Sequence, residues 1–160
     1  METLRWSTER LPMPLEQRLS SAIDIWKGTP YHEGAQRPQA GVDCWRFVSA
    51  VADEMRCRAW TKLPRMIADV AMHNPERARA ALRWAMREHE LEDIGGSEVR
   101  AGDCVIAGPK DGGPGHAMLA GPDGFLWHVT QREGVDRTGL TTHGLDFYTI
   151  LRVKAGLWAL

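Results

Sequence analysis

The sequence lacks a long apolar run and an excess of either charge. No stretch of about 18 consecutive apolar residues occurs, and a membrane-spanning helix needs about that many. Lys plus Arg number 20 and Asp plus Glu number 21, so the net charge is -1. Proteins that bind nucleic acid usually carry a basic excess. We therefore expect no membrane span and no nucleic-acid partner.

Cysteine is scarce, and a sign of export is missing. The three cysteines are odd in number and show no C-x-x-C spacing, so the sequence predicts no disulfide framework and at least one free thiol. Residues 1–10 carry charge with no apolar stretch behind them, unlike a secretory signal peptide. We expect a protein that is made in the cytoplasm without a signal peptide.

The length and composition fit one domain with its own core. The chain has 160 residues, of which 43% are hydrophobic and 26% are charged. We expect a single domain over 1–160, with a short N-terminal extension over 1–13 in which no motif is recognisable.

Apolar residues change their spacing along the chain. Helical spacing predicts helices over about 14–26, 43–56 and 75–89, and suggests a further helix over about 64–72. After residue 96 the apolar segments become short and are separated by turn residues. These segments cover 105–106, 118–120, 125–129 and 148–153. Helices followed by strands predict an α+β domain with an antiparallel sheet.

Cys44 falls in the first turn of the second predicted helix, directly after Asp43. Unpaired backbone N–H groups and the positive end of the helix dipole lie there, and both favour a thiolate. The same N–H groups could hold an oxyanion. The alternative is a buried apolar position of the helix, since free Cys is among the most buried residue types. Cys57 and Cys104 have only that structural interpretation.

His116 and His128 flank a predicted hairpin. Residues 122–124 read Pro-Asp-Gly, which suits a type I turn followed by a left-handed glycine, the three-residue hairpin loop. The resulting pairs are Gly121 with Phe125, Met118 with His128, and His116 with Thr130. The two imidazoles then share a face as diagonal neighbours, roughly 7 Å apart. One histidine could orient the other as a catalytic base.

Other interpretations of these side chains stay open. The hairpin could carry two incidental histidines, or Cys44, His116 and His128 could form a three-ligand zinc site with an open position. The favoured interpretation needs no metal and no cofactor. The remaining histidines lie in loops or on exposed helix faces and are expected to be solvated: His32, His73, His89 and His143.

An ordered set of motifs resembles the NlpC family of papain-like cysteine peptidases. The set consists of Trp26-Lys27-Gly28-Thr29-Pro30-Tyr31, Gly41-Val42-Asp43-Cys44, Gly102-Asp103, His116 and His128. The family pattern has a polar residue twelve positions after its histidine, as His128 stands here. The resemblance extends from about residue 15 to about residue 153 and implies a papain-like fold.

The resemblance also implies roles for these residues. Cys44 would be the nucleophile, His116 the base and His128 the orienting third member. Tyr31 would line the site near the oxyanion, with a packed aromatic as the alternative. Asp43 would help to bind the substrate, often a free amine, and could also cap the helix. The implied substrates are peptidoglycan stem peptides.

The sequence departs from the family pattern after the cysteine. The family usually has Ser-Gly there, whereas this chain has Trp45-Arg46, so we expect an altered substrate pocket that Trp45 helps to line. A Cys-Trp form resembles the phage-tail branch, so we expect delivery in a phage tail or virion, possible contact with other tail proteins, and peptidoglycan peptides as the main partner. Two alternatives remain: a tail structural protein with reduced turnover, and a different thiol amidase or acyltransferase.

Overall fold

The computed structural model describes residues 4–57, 74–88, 91–94, 98–108, 115–140 and 146–153. The suggested helix over 64–72 lies outside these ranges, as do His73, His89 and His143. Among the helices within them, none has the length and apolarity that crossing a bilayer requires.

Three helices occupy the positions that apolar spacing predicts. They are α1 (Met13–Trp26), α2 (Cys44–Glu54) and α3 (Pro75–Glu88). Helix α1 has a proline in its first turn and buries the side chains that recur at helical spacing: Leu15, Leu19, Ala22, Ile23 and Trp26. The predicted helices over about 14–26, 43–56 and 75–89 are therefore confirmed, with ends that differ by one or two residues.

Ten strands complete the described fold. They are β1 (Arg5–Trp6), β2 (Gln36–Arg37), β3 (Gly41–Val42), β4 (Leu91–Asp93), β5 (Glu98–Val99), β6 (Cys104–Gly108), β7 (His116–Ala120), β8 (Leu126–Thr130), β9 (Gly134–Thr138) and β10 (Asp146–Val153). Four of them, β6, β7, β8 and β10, correspond to the predicted strands. The other six were not predicted, and five of those six have only two or three residues, too few to show an alternating pattern.

Six strands form one antiparallel sheet in the order β4-β10-β6-β7-β8-β9. The predicted α+β class with an antiparallel sheet is confirmed. Strand β10 comes last in the described chain yet pairs with β6 inside the sheet, so its partners are distant in sequence. The short strand β1, within the N-terminal extension, pairs in parallel with β5, and Leu4 beside it packs into the core.

The two faces of the sheet bury different clusters. Helix α2 contacts β7 and β8, and its apolar residues form one cluster with Ala117 and Leu119. Met118 and Ala120, which alternate with them along β7, belong to a second cluster on the other face. The sheet therefore supports the start of α2 on one side and is closed by a smaller core on the other.

A buried ion pair ties the start of β6 to β10. Asp103, 1% exposed, accepts hydrogen bonds from Arg152 at 2.7 and 2.9 Å and from the Arg100 backbone N–H at 2.8 Å. Burial raises the pKa of this carboxyl, and the hydrogen bonds from Arg152 and the Arg100 backbone oppose the rise. The Gly-Asp motif thus has a structural role at the strand start.

Candidate active site

Helix α2 presents Cys44 as its first residue, with Asp43 as the N-cap. The extended backbone of Asp43 lets its side chain accept the Arg46 backbone N–H at 2.9 Å. This is the usual way in which an aspartate satisfies a free donor at a helix start. The predicted capping role of Asp43 is confirmed, and it fixes the position of the thiol one residue later.

Cys44 differs from the other two cysteines in exposure. Its residue surface is 8% accessible, whereas Cys57 and Cys104 are 0% accessible. All three are free thiols. Cys44 is therefore the least buried of the three, although it too is a buried residue, and the structural interpretation of the other two agrees with their complete burial.

The helix start favours a Cys44 thiolate, as expected, but burial outweighs that effect in this structure. Burial raises the pKa of Cys44 to about 11, and the charge of Asp43 adds to the rise. Backbone N–H groups of Ala117, Trp45 and Cys44 lower it, but by less than burial raises it. The resting thiol is consequently neutral at pH 7.

The hairpin brings the two imidazoles together as predicted. Strands β7 and β8 pair Leu119 with Trp127 and Ala120 with Leu126, and the Gly121 N–H donates to the Phe125 carbonyl at 2.9 Å. Gly124 has φ +80°, as the three-residue loop requires. This is the predicted register, so its one-residue alternatives, which would separate the rings, are excluded.

His116 and His128 are hydrogen-bonded to each other. Nε2 of His116 lies 2.9 Å from Nδ1 of His128, and the ring centroids are 5.1 Å apart at an interplanar angle of 68°. One of the two nitrogens must carry the shared proton. When it resides on Nε2 of His116, Nδ1 of that ring has a free lone pair and can accept a proton.

Burial keeps this pair neutral. It lowers the pKa of His116 to about 4, with a further contribution from His128. Burial also lowers the pKa of His128, while the charge of Asp136 opposes that shift. Asp136 is the cross-strand partner of His128 on β9. The sequence analysis did not identify Asp136. The register of the second hairpin, β8–β9, would have predicted that it lies opposite His128.

The structure places Cys44 beside the strand that carries His116, without a hydrogen bond between the two side chains among the described contacts. The thiol interacts with the backbone N–H of Ala117, the next residue of β7. By strand alternation His116 shares the face of Met118, whereas α2 packs against the face of Ala117 and Leu119. Catalytic hydrogen bonds are often long in unliganded proteins and tighten when substrate binds.

Tyr31 lies near the thiol. It is half-buried, packs against the cluster that contains Cys44, and forms a bridge with Val42. Burial raises the pKa of its hydroxyl, followed by the charges of Cys44, Glu33 and Asp43. The alternative of a packed aromatic is confirmed, and the role of Tyr31 near the oxyanion stays a prediction.

Trp45 is not available for a substrate contact through its ring. The residue is 3% exposed, and its indole lies in the main core with no hydrogen-bond partner for Nε1 in the described part of the chain. The expectation that this side chain lines the substrate site is corrected accordingly. The physical reason is that the apolar stripe of α2 begins in its first turn, so a large ring at position 45 packs inward.

The residues within the described ranges contain no group of three His, Cys, Asp or Glu side chains arranged to hold a metal ion. The zinc alternative formed by Cys44, His116 and His128 therefore has no support from their arrangement.

Comparison with known proteins identifies the fold. No protein-family profile matches the sequence, and no curated protein matches it either. Solved structures do match. An NlpC/P60 family protein from Bacillus cereus aligns with a TM-score of 0.56 at 16% identity, over 88% of this chain and 41% of that one.

Two further structures give the same result. A protein from Staphylococcus aureus described as similar to a lipoprotein of the NLP/P60 family has a TM-score of 0.55 at 15% identity, over 92% of this chain and 44% of that one. The NlpC/p60 domain of the peptidoglycan hydrolase SagA has a TM-score of 0.52 at 19% identity, over 86% of this chain and 98% of that domain.

These matches establish the papain-like NlpC/P60 fold that the motifs implied. The chain spans less than half the length of the first two structures and nearly all of the SagA domain.

Proposed function

We propose that this protein is a cysteine peptidase that hydrolyses amide bonds of peptidoglycan stem peptides. The observation that carries the proposal is the 2.9 Å hydrogen bond between His116 on β7 and His128 on β8. The residue after His116, Ala117, interacts with the Cys44 thiol through its backbone N–H. The NlpC/P60 fold, shared with a domain of a named peptidoglycan hydrolase, supports the substrate class.

Cys44 and His116 are both neutral at rest, so the thiol has to lose its proton during the attack on the substrate. Substrate binding first has to bring Nδ1 of His116 within reach of the Cys44 thiol. Nδ1 then takes the thiol proton as the sulfur attacks the substrate carbonyl carbon. The carbonyl oxygen becomes an oxyanion, which the backbone N–H groups at the start of α2 stabilise. His128 holds the imidazolium in position through Nε2 of His116.

Breakdown of the intermediate returns the enzyme to its starting state. The His116 imidazolium gives its proton to the leaving amine, the amide C–N bond breaks, and a thioester to Cys44 remains. Water then attacks the thioester, His116 takes its proton, and the carboxylic acid product leaves as the thiol is restored.

The test is the release of peptides from purified peptidoglycan, measured by mass spectrometry. Wild-type protein is expected to release stem-peptide fragments, and Cys44→Ala is expected to release none. Cys57→Ala is the matched control, because Cys57 is a fully buried thiol just past the C-terminal end of α2. Cleavage by Cys44→Ala at the wild-type rate would refute the assignment.

A tail structural protein with reduced turnover is the second candidate. The high pKa of Cys44 and the missing thiol–imidazole hydrogen bond favour it, since both slow thiolate formation. Tight binding to peptidoglycan with no product from the wild-type protein would favour this candidate. A thiol probe that labels Cys44 in a protein inert toward peptidoglycan would instead indicate another thiol amidase or acyltransferase.

Delivery in a phage tail is part of the proposal. Its support is the Asp43-Cys44-Trp45 sequence, which resembles the phage-tail branch of the NlpC family. Mass spectrometry of purified virions from a host that carries the gene is the test. Detection of the chain together with tail proteins is the expected result, and its absence from particles would remove this part of the proposal.

A further inference from the structure

A buried ion pair stands directly beside the proposed nucleophile. Asp43 and Arg46 face each other across the first turn of α2, with 7% and 13% of their side-chain surfaces exposed. The guanidinium binds Oδ2 of Asp43. Because the pair is largely removed from water, salt screens it little.

Both oxygens of Asp43 also accept backbone hydrogen bonds. Oδ1 accepts the Arg46 backbone N–H at 2.9 Å, and Oδ2 accepts the Gly34 N–H at 2.9 Å in addition to the guanidinium. The carboxylate is therefore neutralised and hydrogen-bonded within the protein before any substrate arrives.

Asp43 is close enough to the reacting groups for its charge to matter to a substrate. Its negative charge acts on both the Cys44 thiol and the Tyr31 hydroxyl. A bare carboxylate at this place would attract a substrate ammonium. A carboxylate already paired with a guanidinium offers an ammonium little attraction, and the guanidinium repels it.

We propose that Arg46 is a specificity-determining residue, which neutralises Asp43 and selects substrates whose amino group near the scissile bond is acylated instead of free. The substrate class is thus the interior of a peptide, or a stem peptide still attached through its amino end. This inference rests on the proposed peptidase function. Arg46 acts through Asp43 and is a positioning residue.

The experiment compares two stem peptides that differ only in a free or an acetylated amino terminus. Wild-type protein is expected to give the higher kcat/KM with the acetylated peptide. Arg46→Gln should shift the ratio of the two kcat/KM values toward the free amine by about tenfold or more, the effect of exposing one opposite charge within about 6 Å. Arg46→Lys keeps a positive charge and should keep most of the wild-type preference.

A remote variant separates charge selection from general damage. Arg10→Gln removes a guanidinium from an exposed ion pair with Glu16 and should leave the ratio unchanged. Thermal melting of each variant confirms that it is folded. Equal ratios for Arg46→Gln, Arg46→Lys and wild type would overturn the inference, as would a wild-type preference for the free amine.

Binding to Cys44→Ala keeps this inference separable from the peptidase assignment. Without turnover, the acetylated peptide should bind more tightly than the free amine, and adding Arg46→Gln should reverse or erase the difference. Binding preference without hydrolysis by the wild type would leave charge selection standing and remove the peptidase function. Hydrolysis with no charge preference would support the peptidase function and remove charge selection. A protein that binds neither peptide would overturn both claims.

Discussion

Protonation of the His116–His128 pair should destabilise the fold in mild acid. Burial lowers the pKa of His116 from its usual 6.5 to about 4. Between pH 6.5 and 4, His116 therefore binds a proton in the unfolded chain but stays neutral in the folded protein. Stability from this group is complete above pH 6.5 and is lost progressively as the pH falls toward 4.

The expected size of the loss follows from the pKa difference. One unit of pKa is worth about 1.4 kcal/mol, so the shift of His116 corresponds to about 3 kcal/mol in the free energy of unfolding. The free energy of unfolding of a typical domain is about 5–15 kcal/mol, so this loss would be about a third of it. His128, whose pKa burial also lowers, should add to the loss.

Urea unfolding at a series of pH values, followed by tryptophan fluorescence, measures this loss. His116→Gln can still donate a hydrogen bond to Nδ1 of His128 but cannot take up a proton. Its free energy of unfolding should fall by about 3 kcal/mol less than that of wild type between pH 6.5 and 4. His32→Gln is the matched control, because His32 is exposed. Parallel loss in wild type and His116→Gln would refute the argument.

Three further predictions concern catalysis and the loop structure. His128→Ala should lower kcat with little change in KM, because His116 loses its orienting partner; equal effects on both constants in steady-state kinetics would contradict this. The plateau of kcat/KM against pH should extend beyond neutrality toward pH 9, since the pKa of the Cys44 thiol is about 11; an alkaline fall near pH 8 would contradict a neutral resting thiol. Gly134→Ala should destabilise the protein more than Gly124→Ala in thermal melts. Both glycines have positive φ, but only at Gly134 would a Cβ meet a backbone atom, the Thr29 carbonyl oxygen, at 2.5 Å.

Much of the local structure could be predicted because it depends on near neighbours. The Pro-Asp-Gly loop fixes the hairpin register, and the register places His116 within hydrogen-bond distance of His128. The capping of α2 by Asp43 follows in the same way from adjacent residues. The ion pair of Asp43 with Arg46 could also have been predicted from its i,i+3 spacing, although it was not.

The protonation state of the site could not be predicted from those neighbours. The helix start does lower the pKa of Cys44, but the effect of burial is larger and depends on packing against β7. The burial of Trp45 and the six unpredicted strands likewise depend on contacts between distant segments. Short strands such as β1 and β5 exist because a partner strand satisfies their backbone groups.

The amino-acid sequence by itself determined the class of the fold, the three described helices, the hairpin register and the pairing of the two imidazoles, since these follow from periodicity and turn chemistry over a few residues. Only the tertiary structure decided the order of the sheet, the neutral state of Cys44 and His116, and the inward position of Trp45. Desolvation is the common reason, because the water that a side chain loses depends on what the whole chain packs around it.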